Sequence, residues 1–265
     1  MGLVRAPRVL LVCIILLLPG ARVLAQQFTV QGNASQLAPD IYRLTPPSTT
    51  QAGMVTNFYS LDLTTNFNLD FEINLGATDA NGADGMAFML SKSCSPILTN
   101  GGGLGVVGIP NSIVVEFDTY DNSAPRNDIP QDHTGIYKDG DLTLAGNIMD
   151  AATLPVCLST SCANVEDGLW HTVRIAWDYT DATTQKISVY FDGVLRTSST
   201  GNHITNRFLG ATNVFWSVSG STGALFNDQQ LKYTGPNTDV TICAGNNFTL
   251  TAPALGTNYT WTANA

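Results

Sequence analysis

The sequence predicts an all-β protein folded as a two-sheet antiparallel sandwich, and three observations carry this prediction. Only 12% of the 265 residues are charged, about half the share of an average globular domain. Short apolar or alternating runs recur between Gly, Asn, Asp and Pro, as strands and turns require. No stretch shows a heptad repeat or a long helical periodicity. Many short strands joined by tight turns close naturally as two packed sheets.

The first 25 residues are typical of a secretory signal peptide. Arg5 and Arg8 precede the apolar run Val9 to Leu18, and Val23-Leu24-Ala25 resembles a cleavage site. The run is about half the length that spans a bilayer, and no later run is long enough either. We therefore expect a secreted or cell-surface protein that does not insert into a membrane.

The chain without this leader is strongly acidic. Three of the 12 Lys and Arg residues lie in the leader, so nine remain against 21 Asp and Glu, a net charge of −12. Such a surface repels polyanions, and nucleic acid and anionic membranes are therefore poor partners.

Short strands are predicted throughout the mature chain. In residues 186–195, Ile187, Val189 and Phe191 fall on one face, and Asp192-Gly193 supplies a tight hairpin turn. The alternation thus indicates which side chains face a core. The predicted strands include six clear runs: Phe67 to Leu75, Gly85 to Leu90, Ser112 to Asp118, His171 to Asp178, Ile187 to Asp192 and Asn213 to Ser219.

Four of the five cysteines remain after removal of the leader, in an oxidising compartment where disulfides form. Cys157 and Cys162 enclose a four-residue loop and are expected to form a local disulfide. A zinc site would need a second close pair or a nearby His. The partners of Cys94 and Cys243 stay open.

The pattern of strand-like runs is interrupted near Thr234-Gly235, and we interpret this position as a linker. Residues 26–235 then form the sandwich domain, and residues 236–265 begin a second module around Cys243 and Trp261. This tail resembles the opening strands of the immunoglobulin-like modules of large secreted bacterial proteins. Its 30 residues are too few to close a sandwich. We expect the tail to be a truncated module and the chain to be part of a larger multidomain cell-surface protein, such as an adhesin.

A cluster of acidic and amide residues is the most informative chemical feature. Glu116 and Asp118 are two apart on a predicted strand, so both side chains project from the same face. Two neighbouring carboxylates repel unless a cation lies between them. Asn122, Asp128 and His133 follow in a polar loop and add ligands for calcium and for a transition metal. The alternative is a solvated sheet face followed by ordinary turns.

This motif reads Glu-x-Asp-x-aromatic-x-Asn, followed by an Asp and a His-x-Gly-Ile segment, and it resembles the L-type lectins, the legume lectin family and its bacterial secreted relatives. The resemblance implies a jelly-roll sandwich of the concanavalin A type that holds two metal ions. The implied calcium ligands are Asp118, the Tyr120 main-chain carbonyl, Asn122 and Asp128. The implied ligands of a second, manganese-like ion are Glu116, Asp118, Asp128 and His133. Asp132 offers an alternative carboxylate to Asp128.

Two glycine-containing segments match the same family in the expected order, Gly82-Ala83-Asp84-Gly85 and Gly101-Gly102-Gly103. The resemblance implies that the Asp84 carboxylate accepts hydrogen bonds from sugar hydroxyls and that the Gly102 N–H donates one. Asn122 would bind both calcium and the sugar. Vicinal hydroxyls need a strong acceptor and an unobstructed donor, which suits these residue types. The resemblance also implies a cis peptide bond between Ala83 and Asp84.

A late segment, Val214 to Gly223, resembles the family's last core strand and its specificity loop. The resemblance places Thr222 and Phe226 among the glycan-binding residues. Phe226 or Tyr120 is a candidate for stacking against a pyranose ring. Trp216 is expected in the core.

The expected function is metal-dependent binding of a glycan or polysaccharide, without catalysis. The first alternative is a laminarinase-type glycoside hydrolase, which shares the sandwich but needs a second Glu shortly after a Glu-x-Asp pair. Here Thr119, Tyr120 and Asp121 follow Asp118, so that Glu is missing. The second alternative is a structural or adhesion module that binds a protein partner.

Overall fold

Strands account for nearly all regular structure in a computed structural model of the chain. It describes residues 28–233, apart from 95, 97, 123, 127 and 152, together with Gly235. Fourteen strands are present in this part: β1 (Phe28–Gly32), β2 (Ser35–Ala38), β3 (Ile41–Thr45), β4 (Ala52–Asp62), β5 (Phe67–Asn74), β6 (Gly85–Ser91), β7 (Ser112–Asp118), β8 (His133–Lys138), β9 (Val156–Cys157), β10 (His171–Asp181), β11 (Thr184–Phe191), β12 (Val194–Gly201), β13 (Asn213–Ser221) and β14 (Gln229–Lys232). A 3-10 helix, Gly101–Gly103, and a short helix α1, His203–Phe208, complete the fold.

The strands form two seven-stranded antiparallel sheets. The order is β1-β4-β13-β6-β7-β8-β9 in the first sheet and β12-β11-β10-β5-β14-β3-β2 in the second. Side chains of both sheets join in one large apolar cluster, where Phe71 of β5 lies 6.0 Å from Phe88 of β6 between ring centroids. The predicted two-sheet sandwich is therefore confirmed.

Alternation decides which residues enter this core. In β10, His171, Val173 and Ile175 are buried while the residues between them are more exposed. Ile187, Val189 and Phe191 of β11 lie in the same core, and the Asp192-Gly193 turn has positive φ at both residues. Trp216 is 1% exposed, as expected of a core residue.

β6 and β7 are buried on both faces, which matters for the site. Val115 and Phe117 point into the main core between the sheets. Val114 points the other way, into a second apolar cluster that includes Leu104 and Leu142 from loops covering the sheet. Glu116 and Asp118 therefore project under these loops, where water is excluded.

The six predicted strands are present with boundaries shifted by a few residues at most. Cys157 and Cys162 form the expected disulfide, with 5.1 Å between their Cα atoms. Arg196 holds the same loop by donating two hydrogen bonds to the Cys157 carbonyl oxygen, at 2.9 and 2.7 Å.

The predicted leader and the predicted tail module lie outside the described residues. Within the described ones, no helix has the length and apolar character needed to cross a membrane.

Candidate functional site

The pairing of β7 with β8 builds the acidic cluster. Asp118 lies directly opposite His133, and Glu116 lies opposite Gly135. A Cβ atom at Gly135 would come within 2.5 Å of the Tyr137 ring, so the glycine leaves room for that ring. The Tyr137 hydroxyl donates a 2.7 Å hydrogen bond to Glu116 Oε1.

Carboxylates and an imidazole converge at this place without exposure to solvent. Glu116, Asp118 and His133 each offer a ligand atom, and these atoms lie within 4.8 Å of one another. His133 Nε2 is 3.7 Å from Asp128 Oδ1 and 3.9 Å from Glu116 Oε1. His133 Nδ1 donates to the Gln131 carbonyl oxygen at 2.9 Å, which directs Nε2 toward the carboxylates.

The electrostatics of the cluster call for a cation. Burial raises the pKa of Glu116 to about 7 and also raises that of Asp118. Burial alone would lower the pKa of His133, but the carboxylates of Asp128, Asp118 and Glu116 outweigh it and raise this pKa to about 10. Without a metal, a proton on His133 supplies the positive charge that the carboxylates need.

The cluster fits a bound metal because its unused atoms point inward. Asp118 Oδ2, Asp128 Oδ1 and His133 Nε2 are buried and have no hydrogen-bond partner in the described part of the chain. The second oxygen of each Asp is already used: Asp118 Oδ1 accepts from Tyr120 N at 2.8 Å, and Asp128 Oδ2 accepts from Asn122 N at 3.0 Å. Each carboxylate thus shapes the loop with one oxygen and directs the other toward His133, and such a donor set suits divalent cations.

Asp132, the alternative to Asp128, is used elsewhere. Its Oδ2 accepts a 2.7 Å hydrogen bond from Val165 N, and its carbonyl oxygen accepts one from Leu158 N at 2.8 Å. Asp128 is the residue placed beside His133. Asp128 is therefore the carboxylate of the two that adjoins the cluster.

The loop before β6 presents Asp84 beside this cluster. The peptide bond between Ala83 and Asp84 is cis, as the family resemblance implies. Asp84 N donates to Ser221 O, and Thr119 N donates to Asp84 O, both at 3.0 Å. Asp84 is 4% exposed, and its Oδ2 has no partner among the described residues. Burial raises its pKa to about 6, against the opposing charge of Arg126 and a hydrogen bond from the Gly223 backbone.

Gly102 and Asn122 meet next to Asp84. A Cβ atom at Gly102 would lie 2.4 Å from Asn122 Oδ1 and 2.9 Å from Arg126 Nη1, so no larger residue fits without displacement. Gly102 is the second residue of a 3-10 helix, where the N–H has no partner inside the helix. A Cβ atom at Gly223 would lie 3.2 Å from Asp84 Oδ2 and 3.4 Å from Gly101 Cα. The loops that contain Gly101 and Gly223 therefore meet beside the Asp84 carboxylate, and we call this place the glycine corner.

The loop after β13 presents Phe226 to solvent but, unlike the prediction from sequence, buries Thr222. Phe226 and Tyr120 are each 40% exposed, so both rings are accessible for stacking. Thr222 is fully buried: its hydroxyl donates to Ser48 O at 2.7 Å and accepts from Gln51 N at 2.9 Å. Thr222 thus supports the loop from beneath and does not present its hydroxyl to a ligand.

The sequence motifs do not identify two residues of the site. Arg126 donates from Nη1 to Asn122 Oδ1 at 3.3 Å. Glu166 is buried and accepts a short hydrogen bond from Asn227 Nδ2, while Asn227 also pairs with both main-chain groups of Thr78. Asn227 therefore links the loop that contains Thr78 to the buried Glu166. In the sequence, Arg126 is recognisable only as a charged residue two positions before Asp128. Glu166 lies in none of the sequence motifs.

The sandwich, the acidic cluster and the Asp84 corner define a class of protein, and comparison with known proteins places the chain in it. Residues 21–235 match the L-type lectin domain family, described as the legume lectin beta-barrel domain. The chain belongs to this family.

The solved structures with the same fold include plant lectins at low sequence identity. A lectin of Bauhinia forficata in complex with GalNAc aligns over 80% of this chain and 91% of its own, with a TM-score of 0.62 and 22% identity. Lectin I-B4 of Griffonia simplicifolia, in a metal-free form, aligns over 78% and 90%, with a TM-score of 0.60 and 21% identity. These likenesses establish the shared fold.

A further relative is the pesticidal crystal protein Cry22Aa of Bacillus thuringiensis, which is 40% identical over 91 residues. That stretch is 34% of this chain and 12% of the relative, so the match spans only a small part of that protein's length.

Proposed function

We propose that this protein is a secreted, metal-dependent lectin that binds hydroxyl groups of a glycan between Asp84, Gly102 and Asn122. The observation that carries the proposal is the convergence of these three residues beside a buried, cation-demanding cluster. Asp84 supplies a carboxylate oxygen without a partner, Gly102 an unobstructed backbone corner, and Asn122 an amide. Family membership and the GalNAc complex of a structural relative support a sugar as the ligand.

The proposed calcium ligands are Asp118, the Tyr120 carbonyl, Asn122 and Asp128, and the proposed ligands of a second, manganese-like ion are Glu116, Asp118, Asp128 and His133. A bound divalent ion would satisfy the inward-pointing atoms of Asp118, Asp128 and His133. It would also hold the loop that carries Asn122. Phe226 and Tyr120 are proposed to pack against the sugar ring.

The burial of the two strand carboxylates favours binding over hydrolysis. Glu116 is 1% exposed and hydrogen-bonded to Tyr137, and Asp118 is fully buried. A retaining glycosidase needs two carboxyl groups facing the scissile bond, about 5 to 5.5 Å apart. Asp121, the next acidic residue, lies on the surface beyond the end of β7. We therefore propose no hydrolase activity, and an assay for reducing ends released from β-glucans should stay at background.

Calcium titration calorimetry on the chelator-stripped protein tests the metal site. We expect saturable binding by the wild type and none by Asp118→Asn, because the variant keeps the shape of the side chain but removes the charge. Asp70→Asn is the matched control, since Asp70 is an exposed strand carboxylate in the other sheet. Unchanged calcium binding by Asp118→Asn would reject the proposed ligand set.

A glycan array with and without chelator tests the sugar site. Asp84→Ala should lose glycan binding and keep the circular dichroism spectrum of the wild type. Binding retained by this variant would place the glycan elsewhere on the protein.

A further inference from the structure

Arg126 stands apart from the other arginines of the described residues. The described part of the chain contains five arginines, and the other four have structural roles. Arg43, Arg174 and Arg207 pair with aspartates, and Arg196 binds two carbonyl oxygens. Arg126 makes no ion pair within 4 Å of a described carboxylate. Its guanidinium therefore keeps unused donors at the edge of the proposed glycan site.

The position of this guanidinium is defined by two contacts. Arg126 Nη1 is 3.3 Å from Asn122 Oδ1, and a Cβ atom at Gly102 would lie 2.9 Å from the same nitrogen. The side chain is half-buried. Two of the three residues proposed to hold sugar hydroxyls thus adjoin Arg126, and its charge acts on the third, Asp84.

The charge balance of the site leaves Arg126 in excess, a step that rests on the proposed function. Four carboxylates belong to the proposed metal and sugar ligands, those of Asp84, Glu116, Asp118 and Asp128. Two divalent ions would balance them. Asn122 Oδ1, the acceptor that Arg126 uses, is also a proposed calcium ligand. With the metals bound, Arg126 is left without a counter-charge among these residues.

We propose that Arg126 is a specificity-determining residue that selects glycans bearing an anionic group, a carboxylate or a sulfate ester, next to the hydroxyls held by Asp84 and Gly102. Guanidinium presents paired N–H donors in a planar fork that matches both groups, and such charge-assisted pairs are the strong ones. The net charge of −12 on the mature chain opposes this at long range only. At physiological ionic strength charges are screened over about 8 Å, whereas Arg126 would touch the ligand.

The test measures affinities of the calcium-loaded full chain for three matched oligosaccharides by calorimetry. These are a uronic-acid oligosaccharide, its carboxyl-reduced neutral counterpart, and the neutral counterpart carrying a sulfate ester. We expect at least one anionic ligand to bind about tenfold more tightly than the neutral one. Arg126→Gln should remove this preference, whereas Arg126→Lys should retain part of it. Lys186→Gln, a charge loss on β11 of the other sheet, is the control and should keep the full preference.

The outcomes separate this inference from the proposed function. A preference for only the carboxylate or only the sulfate supports the inference and identifies the group. Equal binding of neutral and anionic ligands overturns the inference and leaves the lectin function intact, as does an anionic preference that survives in Arg126→Gln. Calcium binding without affinity for any of the three ligands overturns the glycan site as drawn and the role of Arg126 with it.

Discussion

Replacement of Glu166 by Gln is expected to stabilise the protein above neutral pH and to leave its stability at pH 5 nearly unchanged. Glu166 is 2% exposed, and its Oε2 atom has no hydrogen-bond partner in the part of the chain that the structure describes. Burial, opposed by the nearby Thr119 hydroxyl and by the hydrogen bond from Asn227, raises the pKa of Glu166 from 4.5 to about 8. The folded protein therefore keeps a proton that the unfolded chain has already released.

The sign and size of the effect follow from proton linkage. Between about pH 4.5 and 8, the folded state binds more protons at this position than the unfolded state, so the free energy of unfolding falls as pH rises. The slope is at most about 1.4 kcal/mol per pH unit, which sets an upper limit of about 5 kcal/mol. A real protein interior screens a buried charge better than a dry medium of low dielectric constant does. We therefore expect a smaller effect, of about 2 to 3 kcal/mol. Gln is neutral at every pH and removes this loss.

Urea unfolding at pH 5, 7 and 9 in the presence of chelator measures the effect. Wild type and Glu166→Gln share the metal cluster, so the difference between their free energies of unfolding isolates position 166. We expect this difference to grow with pH for Glu166→Gln. It should stay within about 0.5 kcal/mol for Asp178→Asn, which changes an exposed carboxylate on β10. Parallel stability curves for wild type and Glu166→Gln would refute the reasoning, since they would mean that Glu166 ionises freely in the folded protein.

Two further predictions concern the metal and the glycine corner. Calcium at 100 times its dissociation constant should stabilise the protein by about 2.7 kcal/mol and raise the melting temperature by roughly 5 to 10 °C. Differential scanning calorimetry should show no such rise for Asp118→Asn, and a rise in this variant would contradict the ligand set. Gly102→Ala should weaken glycan binding at least tenfold, because its Cβ would collide with Asn122 Oδ1 at 2.4 Å. Gly201→Ala, whose Cβ would meet its nearest neighbour at 3.7 Å, is the control, and glycan affinity unchanged in Gly102→Ala would remove Gly102 from the site.

The strands that alternate most clearly are the ones that sequence analysis predicts. β7 was predicted with its observed bounds, Ser112–Asp118, since its apolar residues alternate with Glu and Asp. The strands that it does not name include the edge strand β2, with the sequence SQLA. Edge strands are less buried and carry polar side chains, which weakens the alternation that identifies a strand. The short helix α1 is not predicted from the sequence, because its six residues are too few to show a helical period.

The candidate site divides in the same way. Residues at fixed spacing on one strand and its following loop, such as Glu116, Asp118 and Asn122, carry a recognisable pattern. Glu166 does not, because its partner Asn227 is 61 positions away along the chain. Thr222 shows the reverse case: it lies in the loop segment that the motif indicates, yet its hydroxyl is consumed by contacts with residues 48 and 51. Such long-range contacts depend on how loops pack, which local sequence does not reveal.

The hydrogen bonds around Asp84 explain why removal of metal should affect glycan binding and not metal binding alone. Thr119 directly follows the proposed calcium ligand Asp118, and its backbone N–H and hydroxyl both donate to the Asp84 carbonyl oxygen, at 3.0 and 3.3 Å. Asp118 in turn holds the next residue of the loop, Tyr120, through its Oδ1 atom. If the ion leaves, two buried carboxylates face each other without a counter-charge, and protonation or movement of Asp118 is the available relief. Either change acts on Thr119, the residue that holds the Asp84 backbone in place. Metal and glycan should therefore bind with positive coupling, so that each raises the affinity for the other by the same factor.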